Sequence, residues 1–561
     1  MLVAIAIGIE VVAVSRLNRR LLAAATIIMV AILSFAIAPG TVHAADTGAI
    51  TVDGTVATRY DAYRLFLATV ADGDDVGQKI ATDVTWANDT VRQTALSVLH
   101  DAGLDSSTST AQEAAEWMNA DGHMTTTLTA KLARAICKVG VPSVTLNAGT
   151  TAELPCGYWL IVADDEAISQ NEAGTAPIMA LVGGAAVTVK PKAATPKVQK
   201  HVLEDSTAAW GKAADATVGD DLYWRLSATV PAGLTAYDTY TVQFVDTMGA
   251  GLDPSKVAAS MRVYAAAGAD GGFDAVSTSR DGRAGTEPAK GWTDITAQCA
   301  TKVAADGKTF TVRTGDLIAA LGGADAFTAG ARVVAVYNAP LSSACNHGIA
   351  KGNPNEVYLR YPRSPFADQS GDAGFTRTPS DDACAYTWGL SLIKRSSSDD
   401  KPIAGAKLRI IDDRGRILTT DGSWSTDADA CVTTGADGHV ELTGADADVY
   451  TVEEIAAPKG YTAFGGKRTV TVTAEGLDVK QVAAAKPKVT VSVESPLRVD
   501  AADAGTGSIE LSVLNTPSKE VSRGFMPSTG DRTLVLVAAL AAIGVAAIVA
   551  AFVIKRGGGR R

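Results

Sequence analysis

The sequence predicts a mainly β chain. It reads as three tandem immunoglobulin-like β-sandwich domains, the first with some helix, behind a cleaved signal peptide and ahead of a C-terminal transmembrane helix. Three observations carry that expectation. Between Asp46 and Pro517 the apolar residues come in short β-favouring runs separated by Gly, Pro and Asp. The 561 residues are too many for one core and suit three or four domains. Hydrophobic residues are 47% and charged residues 20%, enough apolar material for packed cores and against wholesale disorder. Lys and Arg number 50 against 61 Asp and Glu, a formal charge of −11. That balance argues against nucleic acid as the partner, because phosphate binding needs a basic surface.

Both ends carry addresses. Arg16, Arg19 and Arg20 precede an apolar run from Leu21 to Ala38, then Pro39-Gly40 and Val42-His43-Ala44-Ala45. Basic cluster, apolar stretch and small-residue site define a secretory signal peptide over residues 1–45. A second apolar run lies ahead of the basic cluster, so translation is expected to start near Val14. At the other end Met526-Pro527-Ser528-Thr529-Gly530 precedes an uncharged run, 534–554, and then Lys555, Arg556, Arg560 and Arg561. About 21 residues at about 1.5 Å each span a bilayer core, and the basic tail stays inside. Taken by itself, this is an ordinary membrane anchor and makes the precursor membrane-bound.

The first domain is expected over 46–194. Ile50-Thr51-Val52 alternates as a strand, and Tyr60 to Val70 is a second apolar stretch. Asn88 can cap a helix carrying Val91, Ala95 and Leu99, ended by Gly103; Leu128, Leu132 and Ile136 repeat that spacing. Gly157–Val162 is a further strand. In 186–192, Val187, Val189 and Pro191 share one face while Thr188, Lys190 and Lys192 share the other.

The middle domain, 195–384, contains the runs Leu222–Val230, Tyr240–Val245, Phe310–Val312, Val333–Tyr337 and Val357–Tyr361. Val198, Lys200 and Val202 share one parity; so do Val242, Phe244 and Asp246, and so do Asn355, Val357, Leu359 and Tyr361. The third domain, 385–518, repeats the arrangement. Trp388, Leu390, Leu392 and Lys394 alternate onto one face, as do Tyr450, Val452 and Glu454, and Ile509, Leu511, Val513 and Asn515. Lys and Glu are almost never fully buried unless paired. Either these polar residues emerge into solvent at strand ends, or they meet in the core to react. A desolvated lysine loses its proton and becomes a nucleophile, and a carboxyl group in the same pocket is pushed towards its acid form. That acid can polarise the Asn carbonyl, so that Lys displaces ammonia and leaves an amide crosslink. No cofactor is required.

Cys137 and Cys156, Cys299 and Cys345, and Cys384 and Cys431 come as two per domain. In a secreted protein that predicts three intradomain disulfides. No C-x-x-C, H-E-x-x-H or Walker A string is present, so neither a metal site nor a multiple-turnover enzyme is expected.

Several of these segments resemble one family. Met526–Gly530, with the apolar run and basic tail behind it, resembles the LPxTG sorting signal of Gram-positive surface proteins, with Met in place of Leu. Val187–Lys192 resembles the pilin motif of sortase-assembled major pilins, whose N-terminal domain Tyr60–Phe66 and Gly157–Ile161 also resemble. The third domain resembles the CnaB-type domains of such pilins, through Lys394-Arg395, Lys401–Ala406, the E-box-like Tyr450–Tyr461, and Asn515. The middle domain looks like their isopeptide-forming middle domain.

The resemblance implies a backbone pilus subunit, secreted and finally anchored to the cell wall. A pilin-specific sortase would cut after Thr529 and join it to Lys192 of the next identical subunit, with Lys190 the second candidate amine. A housekeeping sortase would attach the fibre to peptidoglycan, and host surface ligands form a further partner class in adhesion. It implies Lys394–Asn515 and Lys200–Asn355 isopeptide bonds promoted by Glu454 and Asp246, with Asn353 the other candidate acceptor. The alternatives are a monomeric wall-anchored adhesin and a minor subunit at the fibre base.

Overall fold

A computed structural model of the protein describes residues 46–518, apart from Val76, Pro142, Gln170 and residues 192–194. The expected signal peptide, Lys192, the Met526–Gly530 pentapeptide and the apolar run 534–554 lie outside the described residues. Among the described residues no helix is long and apolar enough to cross a membrane.

The first domain is built on strand β2 (Arg59–Asp72), which pairs antiparallel with β3 (Lys79–Trp86), β4 (Val144–Asn147) and β6 (Gly157–Ala163). Strand β7 (Ile178–Val182) extends the sheet beyond β6. A smaller sheet sets β1 (Thr47–Val52) between β5 (Thr151–Pro155) and β8 (Val187–Val189). Three helices, α1 (Asp89–Asp101), α2 (Ala111–Asn119) and α3 (Thr126–Lys138), lie between β3 and β4. Each starts where a side-chain oxygen can take a free N–H: Asn88, Thr110 and Thr125 accept from Val91, Glu113 and Leu128. Val91, Ala95, Leu99, Leu128, Leu132 and Ile136 pack against Leu65, Phe66, Leu160 and Val162. On the other face Tyr60, Ala62, Trp159 and Ile161 meet Ile50, Val52 and Leu154 of the small sheet. The expected helical content is therefore a full layer, and β6 is apolar throughout because both its faces are covered.

The middle domain is a two-sheet sandwich. One sheet runs β10 (Ala209–Gly211), β9 (Lys197–Glu204), β12 (Tyr223–Val230), β20 (Ala331–Asn338), β14 (Arg262–Ala267), β17 (Thr293–Asp294). The other runs β11 (Ala213–Asp215), β23 (Asp381–Tyr386), β21 (Asn353–Pro362), β13 (Gln243–Met248), β19 (Thr309–Arg313), β18 (Ala300–Val303), with β22 (Phe375–Arg377) also on β21. A two-residue ribbon, β15 (Thr278–Ser279) and β16 (Arg283–Ala284), stands apart. Trp224, Leu226, Phe244, Phe310, Val333, Tyr337 and Leu359 fill the space between the sheets.

In the third domain one sheet runs β29 (His439–Ala445), β24 (Trp388–Ser396), β35 (Ser508–Pro517), β31 (Tyr461–Thr462), with β34 (Leu497–Asp503) on β35. Facing it are β27 (Trp424–Ser425), β26 (Ile417–Leu418), β25 (Lys407–Ile411), β30 (Val449–Ala456), β32 (Lys467–Glu475) and β33 (Lys488–Val493), with β28 (Val432–Thr433) on β25. The first and last strands, β24 and β35, are parallel neighbours.

Only Thr387 separates β23 from β24, so one nearly continuous strand leaves the middle domain and enters the third. This junction is acidic. Trp388 Nε1 and the Ala447 N–H both donate to Asp215 Oδ2, at 2.7 and 3.0 Å. Glu204, Asp205 and Asp446 surround Asp215, and burial with mutual repulsion pushes all four carboxyls up, Glu204 to about 7 and Asp205 to about 6. At its rim Arg416 binds Asp220 at 2.6 Å and Asp412 at 2.7 Å, and Arg414 reaches Asp220 and Asp205.

The three expected disulfides are not shown in the structure, where Cys137, Cys299, Cys345, Cys384 and Cys431 stand as free thiols. Cys137 packs in the helical core against Tyr63, whereas Cys156 belongs to a separate cluster with Val70, Ala81 and Leu181. The Cys299 thiol donates to the Ile295 carbonyl at 3.3 Å, and Cys345 lies beside Gly251. Cys384 faces Gly352 and Tyr386, while Cys431 precedes β28 in the third domain's outer sheet.

Candidate functional site: two buried lysine–carboxyl–asparagine clusters

In the middle domain Lys200 sits on β9 between Val198 and Val202, all three turned inward. Leu226 of β12 is its cross-strand neighbour. The facing sheet supplies the other two groups. Asp246 on β13 is opposite Val357, and Asn355 on β21 is opposite Met248, so acid and amide are diagonal neighbours on one face. Lys200, Asp246 and Asn355 are all 0% exposed. Lys200 Nζ donates to Asp246 Oδ2 and, at 2.9 Å, to Tyr337 Oη. Tyr337 Oη donates to Asp246 Oδ2 at 3.0 Å and accepts from Asn355 Nδ2 at 2.8 Å. One phenol hydroxyl thus touches all three groups.

Desolvation by Trp224, Tyr337 and the sheet core lowers the Lys200 ammonium to about 8, against the pull of Asp246. Burial likewise pushes the Asp246 carboxyl up. Both shifts favour the neutral pair. Asp246 Oδ1 and Asn355 Oδ1 are buried with no protein partner. Asn353, the other candidate acceptor, is occupied: it donates to the Asn346 and Ala385 carbonyls and accepts from the Asn346 N–H.

In the third domain Lys394 is on β24 and Asn515 on β35, the parallel neighbour, where Asn515 pairs with Ser396. Glu454 comes from β30 in the facing sheet. Lys394 Nζ donates to Glu454 Oε2 at 3.0 Å, and Asn515 Nδ2 donates to Glu454 Oε1 at 2.6 Å. The Phe464 N–H adds a third bond to Oε2, at 3.0 Å, and its ring centroid lies 4.6 Å from Lys394 Nζ. The lysine and glutamate side chains are 0% exposed. Desolvation lowers the Lys394 ammonium here too.

The structure therefore brings together both predicted trios, from residues far apart in sequence. Sequence reasoning missed Tyr337 and Phe464. Tyr337 had a signal, an inward polar tip in the run Val333–Tyr337; Phe464 lies in an irregular loop and had none. Lys190, the second candidate polymerising amine, is exposed, 3.6 Å from Asp53.

The geometry allows one kind of chemistry. A proton passed along the 3.0 Å Lys394–Glu454 bond leaves a neutral amine and a carboxylic acid. Asn515 Oδ1 is buried without a protein partner. Turning that amide over sets Oδ1 against Glu454 Oε1, and once the carboxyl's proton sits on Oε1 rather than Oε2 it donates to Oδ1 and makes the carbon electrophilic.

Fold and site together define a class: tandem β-domains, two of which bury a lysine, a carboxyl group and an asparagine between their sheets. One domain can be placed more closely, since residues 389–486 match the family model described as SpaA, prealbumin-like fold domain. A search of the curated proteins finds no match. Among solved structures the chain is similar to the T6 backbone pilin of serotype M6 Streptococcus pyogenes, at 15% identity over 84% of this chain and 99% of that one, with a TM-score of 0.47. It is similar also to the major pilins SpaD and SpaA of Corynebacterium diphtheriae, each at 14% identity over 84% of this chain. They are covered to 98% and 100%, with TM-scores of 0.42 and 0.39.

Proposed function

We propose that the protein is the backbone subunit of a covalent, sortase-assembled surface fibre, stiffened by two internal isopeptide bonds. The observation that carries this is the pair of buried clusters. In each, a lysine on a first strand meets an asparagine near the chain's return, with a carboxyl group touching the lysine. Lys Nζ attacks Asn Cγ, the carboxyl group carries the amine's proton to the leaving nitrogen, ammonia departs and an amide remains. The carboxyl group ends as it began, so each domain performs one turnover and the chain is not an enzyme in the multiple-turnover sense.

Polymerisation would use groups outside the clusters. A pilin-type sortase would cleave Met526-Pro527-Ser528-Thr529-Gly530 after Thr529 and hold the acyl group as a thioester. Lys192 of the next subunit would displace it, giving head-to-tail growth, and a wall-anchoring sortase would end the fibre on peptidoglycan. Acid–base residues so deep in the core cannot serve an outside substrate, which favours a structural role.

The test is a cell-wall extract boiled in SDS and reductant and immunoblotted beside a Lys192→Ala strain. A high-mass ladder that collapses in the variant is expected. A ladder that persists moves the link to Lys190 or elsewhere. A single band near monomer mass in both strains makes a wall-anchored monomeric adhesin the working description.

A further inference from the structure

The outer face of the middle domain's β21 sheet carries a feature that neither crosslink uses. Gln243 on β13 is paired with Arg313 on one side and Arg360 on the other, and Arg360 is paired with Arg377 of β22. Three arginines thus lie on one row across four neighbouring strands. Like charges in such a row destabilise a sheet, and the chain as a whole is acidic, at −11. A fourth, Arg363, follows β21. The row borders a cleft of about 440 Å³ lined by Tyr358, Arg360, Arg363, Phe375, Thr376 and Arg377, and closed by Ile168 and Ser169 of the first domain.

The cleft's positive charge is poorly matched. Arg360 is the matched one, donating to the Asp372 carboxylate at 2.7 Å, to the Asp372 carbonyl at 2.9 Å and to Gln243 at 3.3 Å. Arg313 and Arg363 donate instead to backbone carbonyls, those of Gln369 and Asp165. Arg377 is exposed and lies over the Tyr358 ring at 5.2 Å, with no carboxylate partner among the described residues. Arg313 and Arg360 flank Phe375 at 5.2 and 5.6 Å, so its ring is covered. Other acids nearby include Asp165, which burial pushes towards its neutral form, Glu172, which acts on Tyr361, and Glu356 and Asp382, paired further along the same sheet face.

We propose that this cleft binds an acidic saccharide, its carboxylate or sulfate held by Arg377, with Arg363 beside it and Arg360 kept in place by Gln243 and Asp372. A guanidinium presents two parallel donors to either oxyanion. The hydroxyls of Ser169, Thr376 and Tyr358 suit a polyhydroxylated ring, and the covered aromatic faces disfavour a flat aromatic acid. The volume falls within the range of small-ligand sites. The choice of a sugar over other anions rests on the surface location proposed above; the anion site itself does not, and neither depends on the isopeptide bonds.

The experiment titrates the full chain, purified in detergent, with 3′-sialyllactose, a sulfated heparin disaccharide, lactose and inorganic sulfate, followed by ligand-observed NMR. Saturable binding of one or both acidic sugars is expected, with none for lactose. The response of the two acidic sugars separates a carboxylate from a sulfate preference. Arg377→Ala, an exposed position that leaves the core intact, should weaken binding about tenfold, the worth of one charged hydrogen bond. Arg377→Lys should restore part of it. Lactose binding as well as the acidic sugars, inorganic sulfate binding as well as them, no saturable binding, or unchanged affinity in Arg377→Ala would each overturn the proposal.

Discussion

The two buried clusters use the same three residue types in different geometries. In the middle domain the lysine comes from one sheet and the acid and asparagine from the other, and the Tyr337 hydroxyl stands among them. In the third domain lysine and asparagine share one sheet on parallel neighbouring strands, and Glu454 reaches across to touch both directly. Strand topology is therefore not what the chemistry needs. The proposed crosslinking would need burial and a carboxyl group in contact with the amine, which both clusters supply. The difference lies in the proton's route, direct at Glu454 and shared with a phenol at Asp246.

The largest expected effect comes from removing a nucleophile. Lys394→Ala should abolish one ammonia loss in the intact mass and lower the third domain's stability by about 4–5 kcal/mol, the worth of closing a loop of ~100 residues. Lys200→Ala should do the same for the middle domain alone, and calorimetry of each variant separates the two. Next come the acids and acceptors. Asp246→Asn and Glu454→Gln should each suppress one ammonia loss while leaving the other. Asn355→Ala should abolish the middle-domain loss, and Asn353→Ala, whose amide is already bonded elsewhere, should retain it.

Tyr337→Phe sharpens the contrast. It should slow bond formation in the middle domain by about 10²-fold, the low end for a lost proton-transfer group, and leave the third domain's rate unchanged. Time-resolved mass spectrometry after refolding reads both. If the third domain slows equally, the two proton routes are not distinct.

The smallest effect lies where the two domains join. Burial raises the Glu204, Asp205, Asp215 and Asp446 carboxyls there. A raised carboxyl contributes its stability below the unfolded value and loses it as pH rises through the folded one. The junction should thus be tighter at pH 4 than at pH 8, with stability lost as pH rises from the ordinary carboxylate range up to about 6–7, where Asp205 and Glu204 titrate in the folded protein. Arg414 and Arg416, on Asp220, Asp205 and Asp412, keep their charge across this window. Amide exchange at Ala447 and Val218, which donate to Asp215 and to the Gly444 carbonyl, should quicken with pH beyond the intrinsic rate.

Much of this was legible in the sequence. Lys394, Glu454 and Asn515 each broke an alternating apolar run at an inward position, and a polar residue there has few explanations other than a partner. Asn88 and the i, i+4, i+8 spacing of Val91, Ala95 and Leu99 marked α1, but nothing local showed that three helices would cover one whole face of β2 and β6. Tyr337's inward hydroxyl was a signal in the sequence, but an inward tyrosine ordinarily serves as core and so did not stand out. The cysteines could not be paired from sequence, because a count of two per domain says nothing of where each strand or helix turns its thiol. Nor does any residue around Thr387 announce that β23 runs on into β24.

The parallel pairing of β24 and β35 has a consequence for length. Chain enters the third domain at Trp388 and leaves past Pro517, at opposite ends of two side-by-side strands. With Lys394 joined to Asn515, roughly 120 residues between them, about 400 Å of contour at about 3.4 Å each, drop out of the line of pull. Lys200 and Asn355 withhold about 155 more, some 530 Å by the same measure of about 3.4 Å per residue. If the proposed crosslinks form and the subunits join as a fibre, most of each subunit's contour would be locked away, and only the short stretches outside the crosslinked loops, such as 356–393, could lengthen under load.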